Sequence, residues 1–301
     1  MYLRHFALRE FPFSITPDTS FFFSSGGSQE ALNTLLVAAR MGEGFIKITG
    51  EVGTGKTLLC RKLISSLGPE FYVAYIPNPS LEPIALFMEL ASELGLELDP
   101  NANPNQHQLL KSVTNKLLEL AGEGKRVVIC LDEAQAMPIE TLEALRLLTN
   151  LETEKRKLLQ VIIFGQPELE AKLNHPSIRQ LKQRITFDYH LGPLTGSELH
   201  YYLHHRMVVA GYQGGRMFDG MASWLMDRRT RRIPRLVNIV AHKSLLSAYG
   251  KGKRRVGFFD VLAASNDTAS LENLRPARKT SLVLLFLLGS SIATLGWISL
   301  L

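Results

Sequence analysis

Two groups of residues in this 301-residue chain have the types and spacing that handle phosphate. The first is Gly50-Glu51-Val52-Gly53-Thr54-Gly55-Lys56-Thr57-Leu58, where a glycine, four residues and Gly-Lys-Thr lie between an apolar run and a helical pattern. Glycine lets the backbone curl until several N–H groups point at one anion, and a helix beginning near Lys56 adds the positive end of its dipole. In such a loop the Lys56 ammonium reaches the β and γ phosphates of a nucleotide, and the Thr57 hydroxyl ligates Mg2+. A chance glycine-rich turn is the alternative, and the flanking strand and helix patterns argue against it. The second group is Asp132-Glu133, delivered by the apolar run Val128 to Leu131. Ligands of parallel sheets bind at the carboxyl ends of strands. There Asp132 would hold the metal, and Glu133 would orient or deprotonate the water that attacks the γ phosphate. An Asp-Glu pair by itself is an ordinary solvated strand end; the apolar lead and the upstream loop give it weight.

The elements that must position these groups are legible as five short apolar stretches: Gly44 to Thr49, Phe71 to Ile76, Arg126 to Leu131, Leu158 to Phe164 and Ile185 to Leu191. Helical patterns separate them, which predicts an α/β fold with a parallel sheet covered on both faces. After Pro193 the strand signals stop, and "TGSELHYYLHHRMVVAGY", "MFDGMASWLMD" and "IPRLVNIVAHKSLLSAYG" have helical apolar spacing. The expected organisation is a nucleotide-binding α/β domain over 1–194, a small helical lid domain over 195–265, a polar linker over 266–281 and an apolar helix over 282–301. The opening "FALREFPFSITPDTSFFF" is aromatic and Pro-rich and is expected to pack as a loop against the sheet or the nucleotide.

The last twenty residues carry no charge. As a helix they would span roughly 30 Å, the thickness of a bilayer's hydrocarbon core, which predicts a transmembrane helix. Arg275, Arg278 and Lys279 precede it, so the bulk of the chain is expected in the cytoplasm and the protein at the bacterial inner membrane as a single-pass protein. The first residues lack the basic and apolar segments of a secretory signal. A hydrophobic content of 46% excludes a disordered chain, and a net charge of +6 points to an anionic partner without choosing among nucleotide, nucleic acid and lipid. Cys60 and Cys130 are far apart in sequence and show no metal-ligand spacing, so both are expected as buried thiols. His200 and His204 lie four apart but have no acidic partner, and a solvated helix face is the expectation there. The basic runs Arg228, Arg229, Arg231, Arg232 and Lys251, Lys253, Arg254, Arg255 could meet nucleic acid or anionic lipid, or simply face water.

Five segments, "FPFSITPDTSFFF", "GFIKITGEVGTGKTLL", "VVICLDEAQ", "IIFGQPEL" and "IPRLVNIVAHKSLLSAY", resemble in the same order those of the AAA+ ATPases. Within these the resemblance is to the family of general secretion pathway protein A and the MSHA pilus biogenesis ATPase MshM, and it covers most of residues 6 to 250. It implies a five-stranded sheet in the order 5-1-4-3-2 with a helical lid, ATP and Mg2+ in the crease between them, and ring-type homo-oligomers. It further implies that Gln166 is a polar sensor near the γ phosphate, where AAA+ proteins at large more often carry Asn. Arg184 resembles the arginine finger that completes a neighbour's site, with Arg179 in reserve and a plain surface arginine as the alternative. Arg235 resembles the second sensor on the lid, although "RRTRR" stands before it where the family tends toward glycines. The expected function is ATP hydrolysis supporting assembly of an envelope machine, a type IV or MSHA pilus or a type II secretion channel, together with its assembly proteins. A nucleic-acid-binding regulator related to transposition ATPases is the alternative, and a scaffold that holds ATP without turnover is a third.

Overall fold

A computed structural model of the protein describes residues 2–97, 104–153 and 157–274. Its strands are β1 (Phe45–Thr49), β2 (Phe71–Ile76), β3 (Arg126–Leu131), β4 (Leu159–Gly165) and β5 (Phe187–His190). The helices before β3 are α1 (Tyr2–His5), α2 (Gly26–Met41), α3 (Lys56–Ser66), α4 (Pro83–Glu93) and α5 (Gln106–Gly122). Between β3 and β5 lie α6 (Ile139–Leu148), α7 (Glu168–Leu173) and α8 (Arg179–Lys182). After β5 come α9 (Gly196–Val209), α10 (Gly220–Thr230), α11 (Pro234–Gly250) and α12 (Phe258–Asn266).

The sheet is parallel throughout, in the order β2-β3-β4-β1-β5, which read from the other edge is the expected 5-1-4-3-2. The period-2 alternation of β3 explains how both faces are covered. Val127, Ile129 and Leu131 pack with Leu86, Leu90, Val113 and Leu145 from α4, α5 and α6. Val128 and Cys130 turn the other way, toward Leu35 of α2 and Leu59 and Cys60 of α3. Both cysteines are free and buried. A buried cation lies within the sheet: Lys47 on β1 is 3% exposed and is satisfied by Glu170 of α7 and by Asp188 of β5 at 2.9 Å.

A third core belongs to the helices after β5, with Leu199, Met226, Val237 and Leu245 at its centre. Tyr2, Phe6, Phe13 and Phe21 join it, so the aromatic N-terminal segment packs on the helical part rather than on the sheet. α9 begins with a capping box, Thr195 and Glu198, and the Glu198 carboxylate also accepts the Gly26 N–H at the start of α2 at 2.7 Å. Leu271, beyond α12, is buried in the same core.

Asp260 opens α12 with its side chain fully buried between Lys251 at 2.7 Å and Lys253 at 3.1 Å. Burial alone would raise its pKa, but the Lys251 bond, the Gly257 N–H and Lys253 hold it down from 3.8 to about 2. A depressed folded pKa stabilises above the unfolded value and loses that contribution as pH falls through the folded one. Acid melting curves should therefore show about 2 kcal/mol of stability disappearing from roughly pH 4 down to pH 2, and Asp260→Asn should flatten that window. An unchanged acid profile in the variant would remove this pair from the lid's stability. The same bonds engage two lysines of the basic run 251–255 within the fold.

The C-terminal transmembrane helix is corrected. No helix among the described residues is long and apolar enough to cross a membrane. The longest, α5 and α11, have 17 residues each and bury only one face, short of the roughly 20 apolar residues a span needs. The single-pass inner-membrane placement falls with that finding. Residues 282–301, on which both expectations rested, lie outside the described residues.

Candidate functional site

β1 is buried along its whole length and runs straight into the glycine loop. A Cβ on Gly50 would come within 2.5 Å of the Leu191 carbonyl oxygen and 2.9 Å of Thr54 Oγ1, so glycine alone lets the loop pass under the end of β5. Gly53 and Gly55 adopt φ of 84° and 104°, in the left-handed region that L side chains avoid. The space at Gly53 belongs to the lid: a Cβ there would lie 2.5 Å from Arg235 Cβ, and the Arg235 N–H donates to the Gly53 carbonyl at 3.1 Å. Lys56 opens α3. Its ammonium is buried and donates to the carbonyls of Gly50 at 2.8 Å and Glu51 at 3.0 Å, which pins the loop from inside. Burial pulls its pKa down, while Glu133 and Asp132 push it back up.

Asp132 follows β3 and keeps the pairing of the sheet, its N–H donating to the Ile76 carbonyl at 3.0 Å. It is 2% exposed. Burial raises its pKa, opposed by hydrogen bonds from the Thr57 hydroxyl and the Glu133 N–H. Glu133 takes a left-handed backbone, φ 54°, a conformation that costs a non-glycine residue about 1 kcal/mol and recurs at functional sites. Its carboxylate is held by two amides: Gln166 Nε2 at 3.1 Å from the end of β4, and Gln135 Nε2. Gln135 closes the triangle, because its Oε1 accepts the Gln166 N–H at 3.0 Å. The sequence reading passed over Gln135; the signal was its place two residues after Glu133, on the 3-10 turn that bends the chain back over the strand end. We expect Gln135→Ala to lower kcat about fivefold to tenfold, one hydrogen bond's worth, with KM unchanged, and Gln135→Asn to restore part of it. A rise in KM alone would make Gln135 part of the binding surface.

These groups face a cavity of about 350 Å³ between sheet and lid. Val52, Gly53, Gly55, Lys56, Thr57 and Leu58 form its floor, Glu133 and Gln166 its back, and Arg235 its lid wall. Gly50, Glu51 and Thr54 shape the loop behind that floor, and Asp132 lies beneath Thr57. Burial and loop curvature fit a triphosphate, and the paired oxygens of Thr57 and Asp132 are hard donors of the kind Mg2+ takes.

Two further walls were not assigned residue by residue from sequence. Residues 14–18 of the N-terminal segment cross the cavity as a strap. Arg206 of α9, 5% exposed, anchors that strap by donating to the Ser14 carbonyl at 3.2 Å and to the Pro12 carbonyl, and its guanidinium lies 4.6 Å over the Phe21 ring. Arg61 of α3 holds the Pro17 carbonyl at 2.8 Å, so the strap is tied to both halves of the molecule.

Arg184 stands apart. It does not line the cavity; its guanidinium, half-buried, donates to Thr149 Oγ1 at the end of α6, at 3.1 Å. Arg179, at the start of α8, is exposed. The "RRTRR" departure also has a structural trace: Arg231 and Arg232 both take positive φ, 48° and 61°, where glycine would be unstrained. Arg232 is steadied there by Asp227 at 3.1 Å and by its carbonyl accepting the Leu194 N–H.

Residues 39–173 match the AAA domain family. Along 297 residues, 99% of this chain, the sequence is 38% identical to general secretion pathway protein A of Aeromonas hydrophila, of which the chain spans 53%. Among solved structures, Cdc6p from Pyrobaculum aerophilum superposes with a TM-score of 0.65 at 19% identity, covering 83% of this chain and 70% of that one. The Drosophila ORC bound to DNA gives 0.63 at 16%, covering 98% and 74%. These two share the fold. The sheet order and the glycine loop pressed against the helical region agree with these matches: residues 39–173 are similar to the AAA domain family, within a chain that is similar along nearly its whole length to general secretion pathway protein A and spans about half of that relative.

Proposed function

We propose that this protein binds MgATP between sheet and lid, hydrolyses it, and uses the resulting lid movement to support assembly of a secretion or pilus machine. The observation that carries this reading is the convergence of Lys56, Thr57, Glu133, Gln166 and Arg235 on one cavity, with Asp132 beneath it. The loop N–H groups and Lys56 bind the phosphates, and Thr57 with Asp132 would hold the metal, which when bound neutralises charge on the β and γ oxygens. Glu133 accepts the proton of the attacking water while Gln135 and Gln166 keep its carboxylate aimed. Arg235, whose backbone touches Gly53, reports the phosphates to α11 and so to the whole lid.

The likeness to AAA+ proteins supports assembly into a homo-oligomer, with Arg184, or Arg179 in reserve, as the residue offered to a neighbour's site. The secretion link rests on the relative that matches nearly this whole chain. The nucleic-acid alternative finds less support, because Lys251, Lys253 and Arg232 of the basic runs are engaged with Asp260 and Asp227. Purified protein should take up labelled ATP, release phosphate in a Mg2+-dependent way, and sediment faster with ATP than without. Failure to take up nucleotide overturns the reading; uptake without phosphate release would leave the scaffold alternative.

A further inference from the structure

We infer that Glu170 of α7 is a positioning residue: it fixes α8, and with α8 the arginine that this chain offers to a neighbouring copy. The inference rests on the hydrolysis reading above. One carboxylate is divided between two elements. Glu170 Oε2 accepts from Lys47 of β1, the strand that runs into the glycine loop, and Oε1 accepts from Lys182 of α8 at 2.6 Å. The Lys182 ammonium also donates to Asn174 Oδ1, at the end of α7, at 2.5 Å. The buried Lys47 has a second counter-charge in Asp188 of β5, 2.9 Å away, so charge balance inside the sheet does not require Glu170 alone. Its other oxygen is left for α8. Lys182 and then Lys47 hold the Glu170 carboxyl below its ordinary range, which keeps the bridge ionised.

α7 is also tied to the nucleotide site. Gln166, which bonds the Glu133 carboxylate, lies two residues before this helix, and Lys172 donates to the Met137 carbonyl at 2.6 Å, where the turn that carries Gln135 finishes. Leu169 and Leu173 seat the helix in the sheet core, as Ile178 and Leu181 seat the segment after it. Backbone N–H bonds from Gln183 to Arg179, from Arg184 to Leu181 and from Ile185 to Lys182 make residues 179–185 one continuous turn. Lys182 stands in that turn between Arg179 and Arg184. A helix of four residues has too few internal bonds to hold its own direction, so its tertiary contacts set it. The Lys182 and Glu170 side chains are 40% and 41% exposed, and their bond adds little to global stability. Direction is what it supplies: a guanidinium that must reach a phosphate on another chain can lose about a hundredfold in rate for a misplacement of about 1 Å.

The test uses the full chain and two variants. Lys182→Met cuts the tie to α8 and leaves the Lys47 pair whole, while Glu170→Gln removes the shared charge and leaves Asp188 on Lys47. In both, kcat for phosphate release should fall about tenfold, with KM and labelled-ATP affinity within about threefold of the unaltered protein, which also shows that the variants fold. Lys182→Arg, which keeps a donor for Glu170, should restore part of the rate. The deciding measurement is mixing. A Lys56→Ala chain is expected not to bind ATP but has an intact α8, so adding it should recover phosphate release at the sites of Lys182→Met chains in mixed assemblies. An unchanged kcat in both variants overturns the inference. So does a lowered kcat that the Lys56→Ala chain never recovers, which would place the defect within each chain's own site, or a loss of ATP affinity in step with kcat, which would make the network a structural support only. Absence of phosphate release from the unaltered protein overturns the hydrolysis reading and this inference with it, whereas an active protein with indifferent variants overturns this inference alone.

Discussion

Replacing Glu133 by Gln is expected to leave a protein that holds ATP and hardly turns it over. The substitution keeps volume and keeps an acceptor for Gln135 and Gln166, so the strained turn at φ 54° and its hydrogen-bonded triangle have no reason to collapse. What disappears is the carboxylate proposed to take the proton of the attacking water. General-base contributions run from about 10² to 10⁴ in rate, so phosphate release should fall by at least about a hundredfold. ATP affinity should stay within about threefold, because Glu133 lies behind the cavity and no cation of the site depends on it alone. Single-turnover phosphate release and equilibrium binding of labelled ATP read the two effects separately. Undiminished release by the variant would take the base away from Glu133.

Lys56→Ala is expected to act one step earlier, on binding itself. The ammonium is buried beside the loop, and its pKa is pulled down by that burial while Glu133 and Asp132 sustain its charge. Removing it deletes charge-assisted bonds worth about 1.5 to 3 kcal/mol each, so the Kd for ATP should rise by about a hundredfold or more. It also deletes the two bonds that pin the carbonyls of Gly50 and Glu51. The melting temperature is therefore measured alongside, and the substitution of Lys56 by Met, which retains much of the buried stem, separates lost charge from a loosened loop. ATP affinity preserved in both variants would mean that the loop N–H groups bind phosphate without this residue.

The chain's strands could be read to within a residue or two because each is a short β-branched or aromatic run between helical patterns, as at 71–76 and 126–131. The glycine loop and the Asp-Glu strand end were legible for a related reason: their chemistry depends on contiguous residues, and contiguity is what a sequence displays. Arg184 shows the limit. Its bond to Thr149 joins residues 35 apart, and no local pattern announces it. Gln135 was local but silent, since a glutamine two positions from a glutamate acquires meaning only when the turn after β3 brings its amide over the carboxylate. The N-terminal segment could be read as a packed loop, but not which body it packs on; Phe13 and Phe21 are apolar enough for either core. The apolar tail tempted the reading toward a membrane because length and hydropathy are one-dimensional measures, and no described helix has that character.

By itself, then, the sequence determined the strands, the order of motifs and the residues whose neighbours along the chain do their chemistry, because backbone curvature and strand periodicity are local properties. Only the tertiary structure decided that Arg235 sits on Gly53, that Arg206 ties the strap across the cavity and that Glu133 is held by two glutamines. Those contacts join residues far apart in the chain or turned toward one another by a bend, and packing alone brings them within reach.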